Sequence, residues 1–277
     1  MADCLQTAAV SVLETATPQE KAARALQVAA LWQDGALAFD PHWQGPVPER
    51  PARPDRPVLV APAKVPRRRL NSVAGRAALM HAVAHIEFNA IDLAFDLVAR
   101  FAASAELDGG ARHAFITDWL GVGADEARHF VMVASRLEAL DSHYGAMAAH
   151  DGLWAAAMAT SDDIAARLAI APLVLEARGL DVTPGMMERL EAAGDSQSAA
   201  ILQVIYTEEI GHVAAGRRWF GHVCAVRGDD ARTRFHTLVR ERFPGGLKLP
   251  VNAIAREKAG LEAGFYQPLL PPEVTTS

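Results

Sequence analysis

Four long stretches of this chain, residues 71–105, 111–145, 161–180 and 196–227, repeat apolar residues at helical spacing. Each carries a glutamate in its middle or later part: Glu87, Glu126, Glu176 and Glu209. A carboxylate buried among apolar side chains has to be compensated by a proton, a counter-charge or a metal ion. Two of the stretches add a histidine three residues on, in Glu126-Ala-Arg-His129 and Glu209-Ile-Gly-His212. That spacing puts both side chains on one face of a helix. It suits a salt-bridged surface and metal ligation equally, so a single pair decides nothing. Chance supplies about 0.6 Glu-x-x-His pairs in a chain of this composition. Two pairs, on alternate helices and each preceded by a helix with its own glutamate, exceed that.

Turn signals separate the stretches, "LDGG" at 107–110 and "AGDS" at 193–196. The segment "AMAAHDGLWAAAMATSD" between the second and third is long enough to cross over. Two helical hairpins joined by a longer connection form the ferritin-like variant of the four-helix bundle. Residues equidistant from a hairpin turn lie at one height. Glu87 and His129 centre on Asp108, and Glu176 and His212 centre on Gly194. Gly179 and the "TPG" at 183–185 are expected to interrupt the third helix, with a short extra helix reaching Gly194.

The fold class is therefore all-α: a ferritin-like four-helix bundle with additions at both ends. Residues 1–69 are read as an N-terminal helix and proline-rich strap, 70–227 as the bundle, and 228–277 as a C-terminal helical extension. Thr17, Pro18 and Glu20 start the N-terminal helix, which should run to about Leu37. The prolines between Asp40 and Pro66 forbid a regular element there. The extension holds a helix over 230–242, an irregular "FPGGLKLP" and a short helix near 252–263. The first residues are expected to be loose.

Only Cys4 and Cys224 are present, which excludes a disulfide framework and cysteine-paired zinc sites. No signal peptide and no membrane span are read, and a reducing cytoplasm fits. The formal charge of −6 argues against a protein that coats nucleic acid. One region departs from that balance: 217–258 holds ten Arg or Lys against four Asp or Glu, and "PRRR" at 66–69 adds to it. Solvated helix faces and C-terminal helix caps are the plain account of that excess. No dinucleotide fingerprint, phosphate loop or Gly-x-Ser-x-Gly occurs.

One Glu from each of two helices and a Glu-x-x-His from each of two others form the di-iron or di-manganese carboxylate arrangement. The chain resembles the ferritin-like di-metal superfamily, and "DEARH" resembles the signature of its oxygen-activating members. The stretches "HAVAHIEFNAIDLAFDLVARF", "LEARGLDVTP" and "YTEEIGH" are similar to a bacterial branch, the ferritin-like domain-of-unknown-function family 455. The resemblance spans about 70–226. It implies Glu87, Glu126, His129, Glu176, Glu209 and His212 as ligands of two iron ions, with manganese or mixed metals admissible. It also implies that Asp125 accepts the outer N–H of His212, and Glu208 that of His129. Arg128 and Arg178 should form ion pairs near the site. Tyr206, three residues before Glu209, is either a packed core tyrosine or a hydrogen-bonding or redox residue, and it is the catalytic candidate.

The implied function is O₂ activation by a hydroxylase or oxidase, with an electron donor and an organic substrate that is small or RNA-borne. A distant likeness to a transfer-RNA hydroxylase suggests the latter. Metal handling as a ferroxidase or peroxide scavenger is the alternative, and a homodimer is an admissible assembly. Packed over the bundle end, the strap and the segment 243–270 are expected to wall a substrate cavity. A polar stripe on the first long helix, His81, His85, Asn89, Asp92 and Asp96, should be covered by the strap or the C-terminal segment.

Overall fold

The structure, a computed structural model, describes residues 3–64 and 69–272 and is almost entirely helical. Most of the "PRRR" run, residues 66–68, lies outside the described residues. The described helices are α1 (Leu5–Leu13), α2 (Pro18–Gln33), α3 (Val73–Phe101), α4 (Gly109–Glu138), α5 (Gly152–Met158), α6 (Ile164–Ile170), α7 (Ala177–Ala192), α8 (Ser196–Arg227), α9 (Ala231–Arg242), α10 (Ala253–Lys258) and α11 (Ala263–Tyr266). A π-helical segment, Ala171–Glu176, joins α6 to α7 without a break.

Helix starts follow local chemistry. Ser72, Asp163, Asp195, Asp230 and Asn252 each accept from a backbone N–H of the first turn they precede. Pro18 opens α2, where its missing N–H costs nothing. The chain then packs as antiparallel pairs. Glu87 meets His129 and Phe88 meets Phe130 across α3 and α4, pairs whose residue numbers sum to nearly the same value. Across α4 and α8 the same rule joins Arg128 to Glu208, Asp125 to His212 and Asp118 to Trp219. Gly216 of α8 lets Pro172 of the π segment lie directly on the helix, since a Cβ there would collide with the proline ring.

Three expectations are corrected. The third helix is not interrupted at Gly179 or at 183–185: α7 runs through both, with Pro184 inside it. Proline lacks the N–H that would bond the carbonyl four residues back. Here that carbonyl, Leu180 O, accepts from Asn252 Nδ2 at 3.2 Å. From Asp3 on, the N-terminus is not loose. Asp3–Cys4 pairs in parallel with Leu37–Ala38, and α1 buries Leu5, Ala9, Val12 and Leu13 completely. The helix expected to reach about Leu37 ends at Gln33, because the chain turns through Gly35, at φ 69°, into that pairing.

The core is contiguous from Leu5 to Tyr266. α1 packs on α3, α2 on α4, α9 on α6 and α8, and α10 on α7 and α8. The strap crosses the outer face of α3 and pairs Leu59 with Ala149 of the crossover. Lys21 of α2 and Arg53 of the strap meet Asp92 and Asn89, and Tyr144, Gly145 and His150 of the crossover meet His81 and His85. The polar stripe is thus covered by α2, the strap and the crossover, and at Asp96 by Arg167 of α6. Among the described residues, no helix is long and apolar enough to cross a membrane.

Candidate metal centre

Glu87 from α3, Glu126 and His129 from α4, and Glu209 from α8 bring one ligand atom each within 4.8 Å of one another. His129 and Glu126 are fully buried, and Glu87 is 3% exposed. His212 joins the group through Glu126, its Nδ1 lying 3.1 Å from Glu126 Oε1 and 3.6 Å from Glu209 Oε2. His129 Nδ1 is 3.2 Å from Glu87 Oε2 and 3.4 Å from Glu126 Oε2. Glu126 therefore stands between the two imidazoles. Glu176, the last residue of the π segment, feels the charges of Glu209, Glu126 and His212.

The outer nitrogens of both rings are occupied. Glu208 Oε2 accepts from His129 Nε2 at 2.7 Å, and Asp125 Oδ2 accepts from His212 Nε2 at 3.2 Å. Each acid precedes the glutamate of one Glu-x-x-His pair and holds the histidine of the other. Arg128 donates to both acids, to Asp125 at 2.5 Å and to Glu208 at 3.1 Å. Holding a proton on Nε2 turns the Nδ1 lone pair of a neutral imidazole inward.

The electrostatics of the cluster show how strongly it seeks positive charge. Burial, then the charge of Glu126, pushes the Glu87 carboxyl well above its ordinary range. Burial, then Glu209 and Glu126, does the same to Glu176, and burial with Glu126 raises Glu209. Burial opposes ionisation of Glu126 as well, but His129 and His212 hold it far below its ordinary value. Burial works against charge on His129, yet Glu126 and Glu87 raise it to about 11. His212 rises well above its usual range despite burial, through Asp125, Glu126 and Glu209. Both oxygens of Glu126, one each of Glu176 and Glu209, and His212 Nδ1 are buried without a hydrogen-bond partner. Orphaned polar atoms converging on one place call for an ion or water. Carboxylate oxygens with imidazole nitrogens form a donor set suited to a transition metal, so the residues fit a metal.

Residues 14–267 match the family model described as "Protein of unknown function (DUF455)". The chain belongs to that family. An "Uncharacterized protein" of Haemophilus influenzae is 43% identical over 216 residues, 78% of this chain and 74% of the relative. No solved structure matches the chain.

One candidate residue of this DUF455 protein turns away from the glutamates. Tyr206 is not among the residues lining the cavity beside the glutamates; it shares a hydrogen bond of 3.0 Å with Asn252 Nδ2. The C-terminal segment draws its hydroxyl outward. Arg178 forms an ion pair with Asp181 at 3.6 Å, as expected, and also donates to the carbonyls of Lys248, Leu249 and Pro250. Strap and C-terminal segment do not wall the cavity either. Its lining comes from α3, α5, the π segment, α7 and α8.

Lys21 escaped the sequence reading. Its burial against Asp92 was signalled by its place on the apolar face that also holds Ala25 and Val28. The basic excess of 217–258 is largely consumed internally. Arg218, Arg227, Arg232, Arg234, Arg242 and Arg256 each form an ion pair, and Arg217 stacks on Phe265.

Proposed function

We propose that this protein is a ferritin-like di-iron carboxylate oxidoreductase that activates O₂ to hydroxylate or oxidise an organic substrate. The observation that carries the reading is the crossed pair of Glu-x-x-His motifs, whose histidines present Nδ1 to the buried Glu87, Glu126 and Glu209. Glu87, Glu126, His129, Glu176, Glu209 and His212 would hold two iron ions, and the same donors accept manganese or a mixed pair. Bound iron supplies O₂ binding and electron transfer. The chain's own part is to orient and to exclude. Asp125 and Glu208 fix the imidazole tautomers, Glu126 sits between the rings, and the apolar walls keep bulk water from the carboxylates.

Glu176 is the partly accessible member of the set, and Glu176, Glu209 and Glu87 line an apolar cavity. That cavity favours an organic substrate over mineral storage. The ion-paired state of the basic helices favours a small substrate over an RNA-borne one. An electron donor and a cytoplasmic setting complete the proposal.

Metal analysis of iron-supplemented protein should give close to two ions per chain, falling sharply in Glu126→Ala. Adding O₂ to the ferrous protein should oxidise only the bound pair, with restart requiring reductant and a component of cell extract. Oxidation of many iron equivalents into a mineral core would replace this reading with a ferroxidase. A stoichiometry of one or none would remove the dinuclear centre.

A further inference from the structure

The cavity against Glu87, Glu176 and Glu209 has a volume of about 140 Å³. Beyond those carboxylates its walls are almost wholly hydrocarbon, with Leu93, Leu202 and Ile205 buried around it. Arg178 is the one cationic lining residue, and its guanidinium is committed to backbone carbonyls outside the cavity.

Gly179 also lines the cavity, and a Cβ built on it would meet nothing within 4 Å. Glycine inside a helix costs about 0.5–1 kcal/mol relative to alanine. No neighbour needs the missing side chain for close packing, so what its absence leaves is open space at the cavity wall.

We infer that this cavity binds a small, uncharged, hydrocarbon-like molecule about the size of a benzene ring, and that Gly179 sets the size it admits. Resting on the function proposed above, this molecule is the substrate, delivered to the partly accessible edge of the metal centre at Glu176. A dry cavity of about 150 Å³ lined by aliphatic and aromatic side chains accepts benzene. Pockets for drug-sized ligands begin at about 300 Å³. An anionic ligand would face three glutamates with no uncommitted cation among the lining residues.

The test is calorimetric titration of the full-length protein with benzene and with benzoate, metal-loaded and metal-stripped, with iron measured on the same samples. Two variants accompany it, Gly179→Leu and Gly185→Leu. Gly185 is also in α7 with open space at its Cβ, but it does not line the cavity. Leucine favours a helix more than glycine does, so both variants should remain folded. Saturable one-to-one benzene binding is expected, with benzoate at least about tenfold weaker. Gly179→Leu should also weaken benzene at least about tenfold, while Gly185→Leu binds as the parent does. Absence of saturable benzene binding, equal binding by Gly179→Leu, or tighter binding of benzoate overturns the inference. Benzene binding by protein that takes up no iron would sink the di-iron reading and leave the cavity assignment standing. Iron-loaded protein that ignores benzene does the reverse.

Discussion

At the scale of single residues, the centre is organised by acids that stand beside its glutamates. Asp125 follows the geometry of its helix: one residue before Glu126, it points about 100° away and so faces the neighbouring helix. Its carboxylate lies 3.2 Å from His212 Nε2, and Glu208 makes the reciprocal bond at 2.7 Å. Replacing either acid by alanine should weaken metal binding by about 10- to 100-fold without unfolding the protein. Competitive chelator titration measures the loss and circular dichroism checks the fold; unchanged affinity in both variants would count against the tautomer argument. Spacing and rotation made these pairs legible in the sequence. Arg128, joining both acids, was expected only as a nearby ion-pair residue, because helical rotation does not show which partner a long flexible side chain will choose.

At the scale of elements, the sequence was most readable where local signals act alone and least readable where a distant residue repairs a local fault. Turn signals and apolar periodicity placed α3, α4 and α8 close to where they lie. Pro184 reads as a breaker, and by itself it would be one. The repair comes from Asn252, about seventy residues on. Its side chain also shares a hydrogen bond with Tyr206 Oη and caps α10 by accepting from Ala255 N. No local pattern in the sequence couples these positions. Asn252→Ala removes all three bonds and leaves Leu180 O without its side-chain partner. It should destabilise the protein by about 1–3 kcal/mol, read as a lower urea midpoint at unchanged slope. A Pro184→Ala change in the Asn252→Ala background should recover part of that loss, because the restored N–H can bond Leu180 O.

At the scale of the whole molecule, the strap and N-terminal helices belong to the same core as the helices that carry the centre, so their polar interface should register in global stability. His81 and His85 sit in that interface. Gly145 N donates to His81 Nε2 at 3.0 Å, which requires an unprotonated nitrogen. His85 lies 2.8 Å from Tyr144 Oη and 3.0 Å from the His150 carbonyl, bonds a neutral ring can make as acceptor and donor. Burial lowers both pKa values to about 4 from an ordinary 6.5, with His143 adding to His81 and Arg53 to His85. Between those limits the unfolded chain binds more protons than the folded one, so stability rises with pH across the window and is lost on acidification. Asp92 pulls the other way, its carboxyl raised by burial to about 6 although Lys21 and Arg53 oppose the shift. Two histidines against one aspartate leave a net positive slope from this interface. Other carboxylates add their own slopes to acid unfolding, so the informative quantity is the difference between parent and His85→Gln. Urea unfolding from pH 4.5 to 7, followed by both helical circular dichroism and tryptophan fluorescence, should give coincident transitions for each protein. The parent should lose up to about 1.4 kcal/mol more per pH unit on acidification than the variant. Parallel pH profiles would mean that His85 is not held neutral by the fold. Transitions that separate between the two probes would mean that the strap is a separate cooperative unit.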